Sequence, residues 1–144
     1  MKVFLAAPFT SFLQKKKGIV DTGFRNKLQK IIDLISQSGH TVLSSHLREN
    51  WGKDLMPPQE AAPLDLDLIK ECDLVIAYLN SQPSGVFVEL GWASALKKKI
   101  VILTEIPVAE LSPLVQGLPS ISDATFLFFR NENELLKELQ RVLG

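Results

Sequence analysis

The chain has 144 residues, 46% of them hydrophobic, and its 16 basic residues balance its 16 acidic ones. That length holds one domain with one core, and that composition excludes a disordered chain. A formal net charge of zero gives no electrostatic reason to bind nucleic acid or an anionic membrane surface.

Cys72 stands alone, so no intramolecular disulfide and no oxidising compartment is implied; it is expected as a small buried packing residue. The opening "MKVFLAAPF" is apolar too briefly before Pro8 for a signal-peptide core, and no long apolar span follows. The expected location is cytoplasmic, with no membrane and no nucleic-acid partner. The runs Lys15–Lys17 and Lys97–Lys99 read as solvated surface features.

In chain order, residues 2–7 form a short apolar run that fits a buried strand. Asp21 can cap a helix on which Phe24, Leu28, Ile31, Ile32 and Ile35 recur at helical spacing, and Gly39 ends it. Residues 40–45 read as a second strand and 46–60 as a loop. Residues 61–72 read as a short helix with Pro63 in its first turn. Residues 73–79, apolar nearly throughout, fit a strand covered on both faces. A helix starting near Ser84 or Gly85 follows, then a strand over 99–104, a helical turn over 111–118 and a strand over 124–129. Asn131 and Glu134 form a capping box for a last helix, with Leu135, Leu136, Leu139 and Val142 on its apolar face. The alternation predicts one α/β domain over 1–144: a doubly wound, five-stranded, mostly parallel sheet of the Rossmann or flavodoxin-like kind. In such folds ligands bind beyond the carboxyl ends of the strands, which singles out the loops after the first four strands.

Familiar signatures are missing from those loops. His40 and His46 have no cysteine cluster and no zinc-type spacing, and neither a G-x-G-x-x-G nor a Walker loop occurs, so no metal and no cofactor is expected. Carboxylates remain. On the helix after the third strand, Val86, Leu90 and Ala93 make an inward stripe, and Glu89 lies on or beside it. A capping role fails on register, because three residues after Ser84 comes Phe87. Glu89 is therefore either a glutamate bent out to solvent or a group that carries chemistry. Ser84 and Gly85 are either an ordinary helix-start turn or an anion site, roughly one helical turn (~5 Å) from Glu89. Asp65 either faces the same cleft or, with Asp67, complements a helix dipole. His46, Arg48 and Trp51 cluster after the second strand, where Arg48 suits a phosphate or base carbonyl and Trp51 suits stacking or packing.

Together, "VFLAAPF", an acid eight residues before Asp73, and Pro-Ser-Gly before "ELGWASALKK" resemble the nucleoside 2-deoxyribosyltransferase-like family over nearly the whole chain. The "FLA-x-PF" opening, Arg48–Gly52 as "R-E-x-W-G", and "GWASALKK" are most similar to the family's cytidine 5′-monophosphate hydrolases of nucleoside-antibiotic pathways. The resemblance implies cleavage of an N-glycosidic bond. Glu89 would be the nucleophile at C1′, with Asp65 positioning the sugar and handling protons. Ser84 would bind the 5′-phosphate. It also implies a homodimer in which Ser112 reaches the neighbouring subunit's phosphate. The first loop departs from relatives that hydrolyse deoxynucleotides: it lacks their Gly-Ser-x-Arg pattern, and Val3 stands where a tyrosine is expected. Phe9 is then a candidate to stack on a pyrimidine, and Thr10 or Ser11 to replace phosphate donors. The expected activity is hydrolysis of a CMP-like nucleotide to free base and ribose 5-phosphate. The alternatives are a deoxyribosyltransferase and a non-catalytic nucleotide sensor.

Overall fold

A computed structural model of the chain describes residues 1–9 and 21–144. Five strands form one sheet: β1 (Lys2–Ala6), β2 (Thr41–Leu43), β3 (Leu74–Leu79), β4 (Lys99–Thr104) and β5 (Ala124–Phe128). Their order is β2-β1-β3-β4-β5, and every pairing is parallel. The chain runs outward from β1 to β2, then returns past β1 to β3. Neighbouring crossovers therefore leave in opposite directions between β1 and β3, and a crevice opens there at the carboxyl edge.

Alternation along the strands builds two cores. Val3 and Leu5 of β1, Ile76 and Tyr78 of β3, and Val101 and Leu103 of β4 face α1 (Thr22–Gln37) and α6 (Glu132–Leu143). Phe4 and Ala6, Val75 and Ala77, and Ile100 and Ile102 point the other way, toward α3 (Pro58–Glu71) and α4 (Ser84–Ala95). With both faces covered, β3 carries no charged residue, all six of its residues are buried, and the Tyr78 hydroxyl donates to Glu105 at 3.0 Å. Each fully buried Leu or Ile contributes roughly 1.5–3 kcal/mol relative to exposure.

The helix ends follow their side chains. Asp21 accepts a hydrogen bond from the Phe24 N–H at 3.1 Å and starts α1. Gly39, at φ +85°, lets the chain leave it. Asn131 accepts from the Glu134 N–H at 2.9 Å, while Glu134 reaches back to the Arg130 N–H at 2.8 Å. The apolar face of α6 buries Leu135, Leu139 and Leu143, with Leu136 and Val142 half-buried.

Three expectations need correction. The second strand stops at Leu43, because the Ser44 hydroxyl accepts from the His46 N–H at 3.1 Å and caps a short helix, α2 (Ser45–Arg48). The stretch after it is not all loop: a 3₁₀ turn covers Asn50–Gly52, and α3 begins at Pro58, one turn earlier than expected. Pro58 supplies the pre-set φ of a first helical residue, and Pro63 then lies inside the helix, giving up one bond to the Gln59 carbonyl. Finally, Lys98 is not a solvated charge. Its ammonium donates to the carbonyls of Lys70 at 2.7 Å and Cys72 at 2.8 Å, closing the carboxyl end of α3, while Lys97 and Lys99 stay exposed. Lys15–Lys17, Thr10 and Ser11 lie outside the described residues.

Candidate active site

A cleft of about 710 Å³ opens at the carboxyl edge of the sheet, bounded by α3, α4 and the loops after β1, β2 and β3. One wall is largely apolar, with Phe9, Leu55, Met56 and Ala61; another carries Ser81, Gln82, Ser84 and Gly85; and Glu49, Asp65 and Glu89 bring three carboxyl groups to the same space.

Glu89 reaches the cleft because of its register on α4. Val86, Leu90 and Ala93 are buried against the sheet, and Glu89 stands at the edge of that stripe, turned toward the strand ends. It makes no hydrogen bond or ion pair with any other described residue. Burial, with the charge of Asp65 adding and that of Arg48 opposing, pushes its carboxyl up to about 8. The acid is thus largely protonated at neutral pH.

The start of α4 is open. Pro83 occupies the cap position and offers no side-chain hydrogen bond, while Ser84 and Gly85 are exposed in the cleft. The first amide to bond back is that of Phe87, to the Pro83 carbonyl at 3.2 Å. The earlier amides and the helix dipole point at the space beside Ser84 and favour an anion there. A Cβ built on Gly85 would meet nothing within 4 Å, so the approach is clear.

Asp65 faces the cleft from the middle of α3 and accepts a hydrogen bond from Arg48 Nη1 at 2.6 Å. Because α3 starts at Pro58, neither Asp65 nor Asp67 is a first-turn acid, and the dipole explanation for them falls. Asp67 points to solvent, 3.8 Å from Lys70. Arg48 itself does not line the cleft: its other amino group donates to Glu49 at 3.3 Å. Its charge is committed to two carboxylates rather than offered to a phosphate or base.

His46 and Trp51 lie beneath the wall rather than in it. His46 is fully buried, and burial lowers its pKa to about 4, so the ring is neutral. Its Nε2 lies 3.0 Å from the Pro8 carbonyl and must carry the proton to donate there. Phe9 rests edge-on against the ring at 4.6 Å, so His46 supports the residue that does line the cleft. Trp51 is 4% exposed, packs into the core and lies under the Arg25 guanidinium at 5.0 Å. Its φ of 56°, between Asn50 at 48° and Gly52 at 92°, turns the chain sharply inward and commits the indole to packing. Ser112 also stands outside the lining; its N–H donates to Gln82 Oε1 at 3.1 Å, which ties it to the polar wall of its own chain.

Glu49 is the site residue that sequence reasoning passed over. It figures there only within the Arg48–Gly52 stretch, with no role of its own, yet it is 6% exposed. No spacing in the sequence announces it, because its burial follows from a turn through three left-handed residues.

The cleft thus sets carboxyl groups over a parallel sheet's carboxyl edge, beside an uncapped helix start that favours an anion. A family model described as nucleoside 2-deoxyribosyltransferase matches residues 3–112. The CMP N-glycosidase BcmB of Clostridium botulinum is 29% identical, covering 98% of this chain and 99% of that one, with a TM-score of 0.73. BlsM, known from its solution structure, is 29% identical over 99% of this chain and 91% of its own, with a TM-score of 0.79. A relative from Thermofilum pendens, named provisionally as a 2′-deoxynucleoside 5′-phosphate N-hydrolase, is 21% identical over 99% of this chain and 95% of its own length. The chain belongs to the nucleoside 2-deoxyribosyltransferase family, whose members act on N-glycosyl compounds. Among the described residues, no helix is long and apolar enough to cross a membrane.

Proposed function

We propose that the protein is a nucleoside 5′-monophosphate N-glycosidase, acting on a pyrimidine ribonucleotide such as CMP. The observation that carries this reading is the shared cleft of Glu89, Asp65 and the open start of α4, with Glu89 one turn from the anion-favouring amides. The phosphate rests against Ser84 and Gly85, the base lies along the wall of Phe9 and Met56, and C1′ comes over Glu89. Ionised Glu89 attacks C1′ as the C1′–N bond breaks and its electron pair leaves with the base, which takes up a proton from solvent water. Water then cleaves the glycosyl ester, giving ribose 5-phosphate and restoring the carboxylate. Asp65, held by Arg48, orients the sugar and accepts a proton from the attacking water.

A second reading, base exchange on deoxyribose without phosphate, is favoured by one observation: no lysine or arginine is among the described residues lining the cleft, which instead present three carboxyl groups. The two readings separate on substrates. The enzyme, given ribo- and deoxynucleosides and their monophosphates, with and without a second free base, is assayed for released base by chromatography. Release from the monophosphate alone supports the hydrolase; turnover only when an acceptor base is present supports the transferase. The reading also includes a homodimer with Ser112 acting across the subunit contact. Mixed dimers of Ser112→Ala and Glu89→Ala chains recover one working site if that is so; its tie to Gln82 of its own chain would make action within one chain the outcome if they do not.

A further inference from the structure

We infer that Glu49 is a positioning residue, which braces Arg48 against Asp65 and so fixes the carboxylate pair on which turnover depends. The inference rests on the reading of Glu89 and Asp65 given above.

The geometry is that of a two-sided clamp. One carboxylate oxygen of Glu49 accepts from the Met56 N–H at 2.9 Å, and the other accepts from Arg48 Nη2 at 3.3 Å. The Glu49 carbonyl also accepts from the Gly52 and Asp54 N–H groups, both at 3.1 Å. A single residue thus closes the turn through Asn50, Trp51 and Gly52, and places Met56 in the cleft wall. On its other side it holds the guanidinium whose remaining amino group bonds Asp65 at 2.6 Å. Arg48 Nε is buried without a partner, so the guanidinium is steered by these two carboxylates alone among the described residues. A buried charge is retained at such a cost when its removal would leave another unpaired.

Among the described residues, the charges that act on Glu89 are those of Asp65 on α3 and Arg48 on α2, and the described lining residues of the loops after β1 and β3 carry none. If Glu49 served only as a third negative charge, its neutralisation would make the site more positive and ionise Glu89 at lower pH. If it positions Arg48, its neutralisation frees the guanidinium, leaves Asp65 uncompensated and moves Glu89 the other way.

Glu49→Gln separates these, because glutamine keeps an acceptor for the Met56 N–H and puts a neutral amide where the carboxylate faced Arg48. The expected result is a fall in kcat on the order of tenfold to a hundredfold, KM for CMP changing less, and the rising limb of the kcat/KM–pH profile displaced upward. The double variant with Arg48→Met should be no slower than Arg48→Met alone, since both act on one contact. A limb that moves down, or a double variant whose losses multiply, overturns the inference, as does wild-type kcat in Glu49→Gln. Should Glu49→Gln fold poorly, the same cycle with Glu49→Asp, compared at matched folded fraction, decides it. The two readings fail separately. A fully active Glu89→Gln enzyme defeats the nucleophile, whereas an inactive Glu89→Gln beside an unaltered Glu49→Gln defeats only the clamp.

Discussion

Arg48 bonds Asp65 at 2.6 Å and leaves Glu89 without any described partner, so two carboxyl groups of one cleft sit in opposite electrostatic states. Asp65 is held as a compensated carboxylate. Glu89 is desolvated, repelled by Asp65, and only partly relieved by Arg48. On the proposed mechanism, Glu89 must ionise before it attacks, so its raised pKa sets the rising limb of the pH–rate profile.

The first prediction concerns stability. The folded protein holds a proton on Glu89 up to about pH 8, whereas the usual value is 4.5. Between those values the folded state binds more protons than the unfolded one, so stability falls as pH rises through the window. Glu89→Gln should remove that decline and raise stability at pH 8 by about 2 kcal/mol, less than the full shift implies because the cleft is open to water. Denaturant unfolding at pH 5 and pH 8 measures it; equal pH dependence in both proteins would contradict the burial of Glu89.

Asp65→Asn should act on the same group with the opposite sign from the loss of Arg48. Removing the negative neighbour lowers the Glu89 pKa, so the rising limb of kcat/KM shifts to lower pH while kcat falls, since proton handling is lost. An unmoved limb would show that Asp65 does not face Glu89.

Gly85→Ala should leave the fold intact and disturb the ligand. The added methyl meets no atom within 4 Å, and alanine favours a helix over glycine by about 1 kcal/mol. Thermal stability should hold or rise, while nucleotides lose affinity several-fold more than nucleosides do. Ser84→Ala should show the same bias without the steric effect. Equal losses for both ligand types would place the phosphate elsewhere.

Trp51→Ala tests packing against stacking. The indole is buried in the core, so its truncation should cost on the order of 3–5 kcal/mol. The surviving folded enzyme should discriminate among bases as before. Altered base preference with little loss of stability would move Trp51 into the cleft.

Much of this architecture was legible in the residues. β3 and β4 are apolar on both faces and flanked by turns, so their ends could be read almost to the residue. The buried stripe Val86, Leu90 and Ala93 set the face on which Glu89 stands. The region from Ser44 to Pro58 was not legible, because its form depends on local polar contacts: a serine cap, three successive left-handed residues, and a glutamate that gathers loop amides. Hydrophobic periodicity carries none of that. For the same reason His46 reads as a candidate ligand contact, and Trp51 as suited to either stacking or packing. Their burial comes from a turn in the backbone that no spacing announces.

The central claim is that Glu89 carries the reaction. The direct test is to mix wild type and Glu89→Gln with CMP and follow released cytosine, while measuring nucleotide binding to the variant. The account predicts cytosine and ribose 5-phosphate from the wild type, and binding without release from Glu89→Gln. Release of cytosine by Glu89→Gln at near the wild-type rate would contradict it.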